Sequence, residues 1–258
     1  MLRACLLFGG GLCGGTLGGF LGLGGGIVLM PLLRFVVGLS PAETAGTCIT
    51  AVFCTTLGGS YRHLRQGQLR PWSIAPLIAA GAAASGLCSL AFGTLARRGN
   101  ALDLGIGLVF LAIAARMLAT AGARAPARRP AADNAVRGPL PLKLAVGAAA
   151  GALPGLLGIG SGGILVPAFT LLLRTPVKTA MAASLCCYVF TSAISAAFKL
   201  WQGYVVFGTA APLCLGTLVG ANLGAMINRR ARSRVVQQIF GGVFLLVALR
   251  FIISFAGS

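Results

Sequence analysis

Residues 22–31 read Gly-Leu-Gly-Gly-Gly-Ile-Val-Leu-Met-Pro, and residues 158–167 read Gly-Ile-Gly-Ser-Gly-Gly-Ile-Leu-Val-Pro. The second stretch begins 136 positions after the first, at residue 158 against residue 22. In each, a glycine-rich run precedes an apolar run that ends on proline. A glycine run disfavours a helix because each glycine costs up to about 1 kcal/mol relative to alanine. The two stretches therefore predict two breaks in helical structure and an internal repeat.

Other landmarks recur in the same order on both sides of the chain. They are Ser40-Pro41 with Thr175-Pro176, Gln66-Gly67 with Gln202-Gly203, Pro76-Leu77 with Pro212-Leu213, and Val109-Phe110-Leu111 with Val243-Phe244-Leu245. The segment between the two copies is rich in Ala, Pro and Arg, a composition typical of a linker. We therefore predict a first repeat over residues 1–119, a linker over 120–141 and a second repeat over 142–258.

The composition indicates a membrane protein. Hydrophobic residues make up 57% of the 258, charged residues only 9%, and the mean hydropathy is +0.92. A soluble domain carries about 25% charged residues. A membrane-spanning helix needs roughly 20 predominantly apolar residues. Five charge-free stretches reach that length, at residues 4–33, 71–96, 144–173, 179–198 and 200–228. The fold class predicted is an all-α polytopic membrane protein.

Each repeat is predicted to be a broken helix hairpin followed by three transmembrane helices. The hairpins are 4–21 with 26–38 and 142–157 with 162–174; the helices are 41–63, 71–96, 101–119, 176–200, 205–228 and 234–255. Ser40, Pro41 and Glu43 form a helix-start signal with a capping box. The pattern leaves open whether a hairpin crosses the bilayer or is re-entrant. In both cases each repeat crosses an odd number of times, so the two repeats are expected to have inverted topology.

The charges test this topology. Lys and Arg number 21 against three acidic residues, a net charge of +18. With the linker in the cytoplasm, fifteen of the 21 cations lie on that side and six lie outside, as the positive-inside rule expects. The cations flank apolar segments, so the expected partner is the lipid bilayer and not nucleic acid.

The sequence contains few residues that could act as catalytic acids, bases, nucleophiles or metal ligands. One His and three acids give no triad, and the eight cysteines have no C-x-x-C spacing. No nucleotide-binding G-x-x-x-x-G-K-[ST] motif is present. We therefore predict that the protein is not an enzyme and has no catalytic residues, cofactor or bound metal.

The two breaks are the candidate substrate site. Non-helical backbone at membrane depth is tolerated only where it is buried in protein or lines a cavity. Half-helices that start at a break direct free N–H groups towards it, and paired inverted breaks suit an anion. The alternative is that the glycines serve close helix packing, the interpretation we prefer for Gly14/Gly18/Gly22 and Gly216/Gly220/Gly224. The candidate residues are Gly24, Gly25, Gly26, Gly160, Ser161, Gly162 and Gly163.

Polar residues near the breaks extend the site. The hydroxyls of Thr47 and Ser184 could donate to an oxyanion, or could instead bond a carbonyl of the preceding helical turn. His63 and Lys199 occupy equivalent positions 136 apart. They could gate the path or attract an anion, or anchor helix ends at the membrane interface. Since few carboxylates are available to carry cations, an anion leaving a negative cytoplasm fits better, gaining roughly 2.3 kcal/mol per charge per 100 mV.

The duplicated glycine pattern resembles the TauE/SafE family of bacterial sulfite/organosulfonate exporters. It includes Gly18, Gly22, Gly24-Gly25-Gly26 and Pro31, then Ala45-Gly46-Thr47 and Tyr61-Arg62-His63, with the second copy from Gly155 to Pro167. The resemblance extends from about Gly9 to Ile253 except for the linker. It implies secondary transport of sulfite, sulfoacetate or related anions out of the cytoplasm across a bacterial inner membrane. Ser161 replaces a glycine of the second break, and the substrates of the family are diverse, so the resemblance leaves the exact anion open.

Two other functions remain as alternatives. One is an uptake permease or channel for another small solute, and the other is a non-transporting membrane scaffold subunit. The sequence leaves open the coupling ion, the direction of transport and assembly into a homo-oligomer.

Overall fold

The structure is a computed structural model that describes residues 2–65, 71–96, 102–109, 111–112, 115, 136, 138–160, 162–173 and 175–227. The described residues are helical apart from short connections, and no strand occurs among them. The predicted helix 234–255, most of the linker 120–141 and Ser161 lie outside the described residues.

The first half contains five described helical segments. They are α1 (Leu2–Leu21), α2 (Gly26–Pro31, continued by a π-helical turn Leu32–Val36), α3 (Pro41–Arg65), α4 (Ala75–Ala96, after a 3-10 turn Pro71–Ile74) and α5 (102–109). The second half repeats this order with α6 (Leu140–Leu157), α7 (Gly162–Pro167, continued by a π-helical turn Ala168–Leu172), α8 (Val177–Trp201) and α9 (Phe207–Ile227). Both predicted breaks interrupt the helices where the glycine runs lie.

The start of α3 follows the predicted capping box. The Ser40 N–H donates to Glu43 Oε2 at 3.0 Å, and the Glu43 N–H donates to Ser40 Oγ at 3.3 Å. These bonds satisfy N–H groups that have no partner within the first helical turn. The local sequence therefore fixes where α3 begins.

The first hairpin folds back on itself. The position of a β-carbon at Gly18 meets Gly25, and that at Gly14 meets Leu29, so α2 returns alongside α1. Gly14 and Gly18 thus serve close packing within their own hairpin. The returning limb covers residues 26–36. At about 1.5 Å per residue it is roughly 16 Å long, about half of a hydrocarbon core of about 30 Å.

Two pairs of helices pack closely and in parallel. Along α1 and α9, residue numbers increase in the same direction at the contacts. These contacts join Gly11 to Leu213, Gly15 to Thr217, and Gly19 to Ala221. α6 packs on α4 in the same way, through Gly147 with Leu77 and Gly151 with Gly81. Gly216, Gly220 and Gly224 all face α1, which confirms their predicted packing role. Glycine at these contacts lets the backbones approach closely.

α3 and α8 lie at the centre and run in opposite directions, since Thr56 contacts Ser192 whereas Gly59, further along α3, contacts the earlier Leu185. α3 runs parallel to α9, and α4 runs parallel to α8. The contacts that define these directions are Ala51 with Thr217, Gly58 with Asn222, Gly81 with Thr191, and Gly86 with Ile194.

The outer surface suits a bilayer. Four helices in the described part are long and apolar enough to span a membrane, at Trp72–Ala96, Leu140–Leu157, Thr179–Trp201 and Phe207–Ile227. Leucines such as Leu87 on α4 and Leu215 on α9 are exposed on their outer faces. Trp72 precedes α4 and Trp201 ends α8, so the two exposed rings lie at opposite ends of a parallel helix pair. Interfacial tryptophans are typical of multi-pass membrane proteins.

Candidate functional site

The two breaks have left-handed backbone that favours glycine. The φ angles are +73° at Gly22, +76° at Gly24 and Gly25, and +68° at Gly158. The Leu23 N–H donates to the Gly18 carbonyl at 3.1 Å. The Gly158 N–H likewise donates to the Pro154 carbonyl at 3.1 Å. These are the bonds by which a left-handed glycine ends a helix, so the sequence itself terminates α1 and α6 inside the protein.

The breaks from the two halves touch each other in the buried centre. A β-carbon added at Gly26 would lie 3.0 Å from the Gly160 nitrogen, and one at Gly160 would lie 2.7 Å from the Leu23 carbonyl oxygen. One at Gly162 would meet the Leu23 backbone. Any side chain larger than hydrogen would therefore separate the two breaks. Gly163 follows in the first turn of α7.

Each break also contacts the central helix of the opposite half. Gly22 lies against Met181 of α8, and Gly158 lies against Ala45 of α3. Positions 22 and 158 are 136 apart, as are 45 and 181. The contact is therefore reciprocal: each half supplies a break and a helix that receives the break of the other half.

Backbone donors remain at the start of α2. The Val28 and Leu29 N–H groups donate to the Gly25 carbonyl at 3.0 and 3.2 Å. The N–H groups of Gly26 and Ile27 have no acceptor among the described residues. Amides at the start of a helix carry partial positive charge and suit an anion.

Ser184 lies directly at the first break. Its hydroxyl donates to the Gly22 carbonyl at 3.1 Å, and so bonds another element and not the preceding turn of its own helix. Cys48, 136 positions earlier, places its thiol 3.6 Å from the Gly26 carbonyl oxygen. The two central helices thus hold the first break from both sides.

Thr47 has a different environment. It is fully buried on α3, and its Oγ1 accepts the Val206 N–H at 3.2 Å. It therefore holds the connection between α8 and α9, and no hydrogen bond joins it to a break among the described residues.

His63 and Lys199 are both buried, 1% and 0% exposed. Lys199 Nζ donates to the carbonyls of Pro154 at 3.1 Å and Gly155 at 2.8 Å, and to Ser195 Oγ at 2.9 Å. It also lies 4.2 Å from the centre of the Phe92 ring. Lys199 thus satisfies carbonyls at the end of α6, just before the second break.

Three polar residues at the breaks were not predicted. The hydroxyl oxygens of Thr56 and Ser192 are 3.3 Å apart, and the buried ring of Tyr188 lies against Gly24. Thr56 and Ser192 are 136 positions apart, so equivalent residues of the two halves meet. The spacing of 136 could have identified Thr56 and Ser192 from the sequence. Tyr188 has no polar residue at the equivalent position, so the repeat gave no such indication for it.

The site formed by the two breaks is polar but uncharged among the described residues. Its side chains are hydroxyls, a thiol, a phenol and aliphatic groups. The ion pair in the described part joins Arg34 Nη2 to Asp103 Oδ2 at 2.6 Å, between the turn after α2 and α5. No group of three His, Cys, Asp or Glu that could hold a metal occurs among the described residues. An anion would meet N–H and O–H donors here, without buried carboxylates to repel it.

Comparison with known proteins gives one family. A family model described as "Sulfite exporter TauE/SafE" matches residues 7–251. The chain is 26% identical over 260 residues to "Probable membrane transporter protein YunE" of Bacillus subtilis (strain 168), with 94% of each chain covered. It is 29% identical over 243 residues to a "Probable membrane transporter protein" of Xylella fastidiosa (strain Temecula1 / ATCC 700964), covering 93% of this chain and 91% of the relative. No solved structure gives a significant match.

Proposed function

The chain belongs to the TauE/SafE sulfite exporter family of membrane transporters, and we propose that it exports small sulfur-containing anions from the cytoplasm across a bacterial inner membrane. Sulfite, sulfoacetate and related organosulfonates are the substrates proposed. The observation that carries the proposal is the contact of two glycine breaks in a buried, uncharged site with backbone donors. The similar proteins are named only as transporters, so the anion and the direction belong to the proposal.

We also propose that the two halves are inverted repeats. The contact directions support this, because α1, α3 and α9 run one way while α4, α6 and α8 run the other. Three long helices of the first half thus run opposite to their equivalents: α1 to α6, α3 to α8 and α4 to α9. Contact between the equivalent residues Thr56 and Ser192 is what a two-fold axis produces.

The proposed site binds an oxyanion between the breaks. The N–H groups of Gly26 and Ile27 donate to its oxygens, with hydroxyls nearby to complete the shell. The breaks touch in this structure, so the anion enters only when the two halves move apart. A rocking of one repeat against the other exposes such a site to each side of the membrane in turn. With an interior potential of −100 mV, exit of each negative charge gains about 2.3 kcal/mol, so the potential can drive export.

Transport is tested with purified protein in lipid vesicles loaded with radiolabelled sulfite or sulfoacetate. We expect anion efflux faster than that from loaded vesicles without protein. We also expect this efflux to become faster when the vesicle interior is made negative. Efflux equal to that of protein-free vesicles under both signs of potential would contradict the proposal. A protein that folds normally but moves neither anion would favour one of the two alternatives, a permease or channel for another solute or a non-transporting scaffold subunit.

The inverted arrangement gives a prediction about sidedness. Arg65 and Trp201 are 136 positions apart at the ends of α3 and α8, and both are exposed. In a background without the eight native cysteines, a membrane-impermeant maleimide should label only one of R65C and W201C in intact cells. Permeabilised cells, in which both variants should label, provide the control. Labelling of both variants in intact cells, at rates equal to those after permeabilisation, would contradict the inverted arrangement.

A further inference from the structure

We propose that Tyr188 determines which anions this transporter accepts, its ring limiting their size and its hydroxyl donating a hydrogen bond to them. This inference rests on the proposed function, because it assigns a role within the same site. Tyr188 lies on α8 and is fully buried. It is a chemically distinct side chain among the aliphatic and small hydroxyl groups around the breaks.

Tyr188 contacts both breaks at once. A β-carbon added at Gly24 would lie 2.8 Å from Cδ1 of its ring. One added at Gly160 would lie 3.2 Å from its hydroxyl oxygen. The ring therefore touches the first break and the hydroxyl touches the second. A ligand between the breaks would therefore contact Tyr188 whether it were bound by the first break or by the second.

The repeat makes position 188 asymmetric. Its equivalent in the first half is Val52, 136 positions earlier, which packs 3.0 Å from the β-carbon position at Gly26. Valine offers a small aliphatic surface and no donor. Of the two equivalent positions beside the breaks, only 188 supplies both bulk and a hydrogen-bond donor.

The Tyr188 side chain is fully buried and lies against the backbones of both breaks, at Gly24 and at Gly160. A phenol carries an O–H donor without a formal charge. It can therefore donate to an anion without placing a charge in the membrane interior. A ring packed between two backbones also limits the space for a substrate.

The test compares Y188F and Y188L with the wild-type protein in lipid vesicles. Y188F keeps the ring but loses the donor, so the sulfite concentration for half-maximal transport should rise about tenfold, the usual effect of losing a hydrogen bond to a charged group. Y188L removes ring volume, so the rate of sulfoacetate transport relative to sulfite should rise severalfold. F190L, on the lipid-facing side of the same helix, is the matched control and should leave both quantities unchanged.

The outcomes separate the two proposals. Melting temperatures within a few degrees of wild type establish that the variants fold. If wild-type protein transports sulfite, an unchanged half-maximal concentration in Y188F together with an unchanged anion ratio in Y188L overturns the role of Tyr188 alone. If wild-type protein transports neither anion, the proposed function fails and the role of Tyr188 fails with it.

Discussion

Replacing Gly162 with alanine is expected to abolish transport. The added β-carbon would meet Cα of Leu23 and would lie 2.7 Å from the Gly22 carbonyl oxygen. These are backbone atoms of the opposite break and cannot rotate away as a side chain can. Overpacking of this kind costs about 1–3 kcal/mol, and relief requires the two breaks to separate. We expect vesicle flux at the level of protein-free vesicles and a melting temperature lowered by several degrees.

Gly93 gives the matched control. It lies on α4, and an added β-carbon there would have no neighbour within 4 Å among the described residues. G93A should keep wild-type flux and match or slightly exceed wild-type stability, because alanine favours a helix over glycine by about 1 kcal/mol. G162A with wild-type flux and melting temperature would show that the breaks do not meet at Leu23.

The second large effect is expected from Lys199→Met. Methionine keeps an unbranched side chain of similar length but removes the Nζ group, which lies over the Phe92 ring and donates to Pro154 and Gly155. The Pro154 carbonyl keeps the Gly158 N–H and the Ser195 hydroxyl as donors, whereas the buried Gly155 carbonyl loses its Lys199 donor. A buried acceptor without a partner costs about 1–3 kcal/mol. We expect a loss of about 2 kcal/mol in unfolding free energy and at least a tenfold loss of flux, since α6 leads directly into the second break.

Lys143 provides the comparison for this variant. Its Nζ also donates to two carbonyls, to Val136 at 2.9 Å and to Ser73 at 3.3 Å, but the side chain is only half-buried. Water can replace the amine there, so K143M should cost less than about 1 kcal/mol. Equal losses in K199M and K143M, measured by denaturant unfolding in detergent, would contradict the capping role of Lys199.

The local features of the fold could be predicted from the sequence because short-range chemistry determines them. The glycine runs predicted the ends of α1 and α6, and the capping box of Ser40 and Glu43 predicted the start of α3. The predicted helices begin within about four residues of those observed. In each case the determining residues lie within one helical turn of the feature.

Contacts between the halves were less accessible to prediction. Thr47 faces the connection after α8, and Lys199 points into α6, because the packing of α3 and α8 decides both directions. Tyr188 was missed for the same reason. An aromatic residue in an apolar helix is indistinguishable from a lipid-facing one until the neighbouring helices are placed. Only Thr56 and Ser192 could have been predicted to meet, because they are 136 positions apart and so occupy equivalent positions in the two repeats.

The parallel packing of α1 on α9 has a consequence for synthesis. The glycines of α1 near residue 15 find their partners near residue 217. Roughly 200 residues must be made between them, which takes on the order of 10–40 s at about 5–20 residues per second. During that interval the grooved face of the first helix has no native neighbour, so lipid or an insertion factor occupies it until the ribosome delivers α9. The order of translation thus makes the first helix of this protein among the last to reach its final contacts.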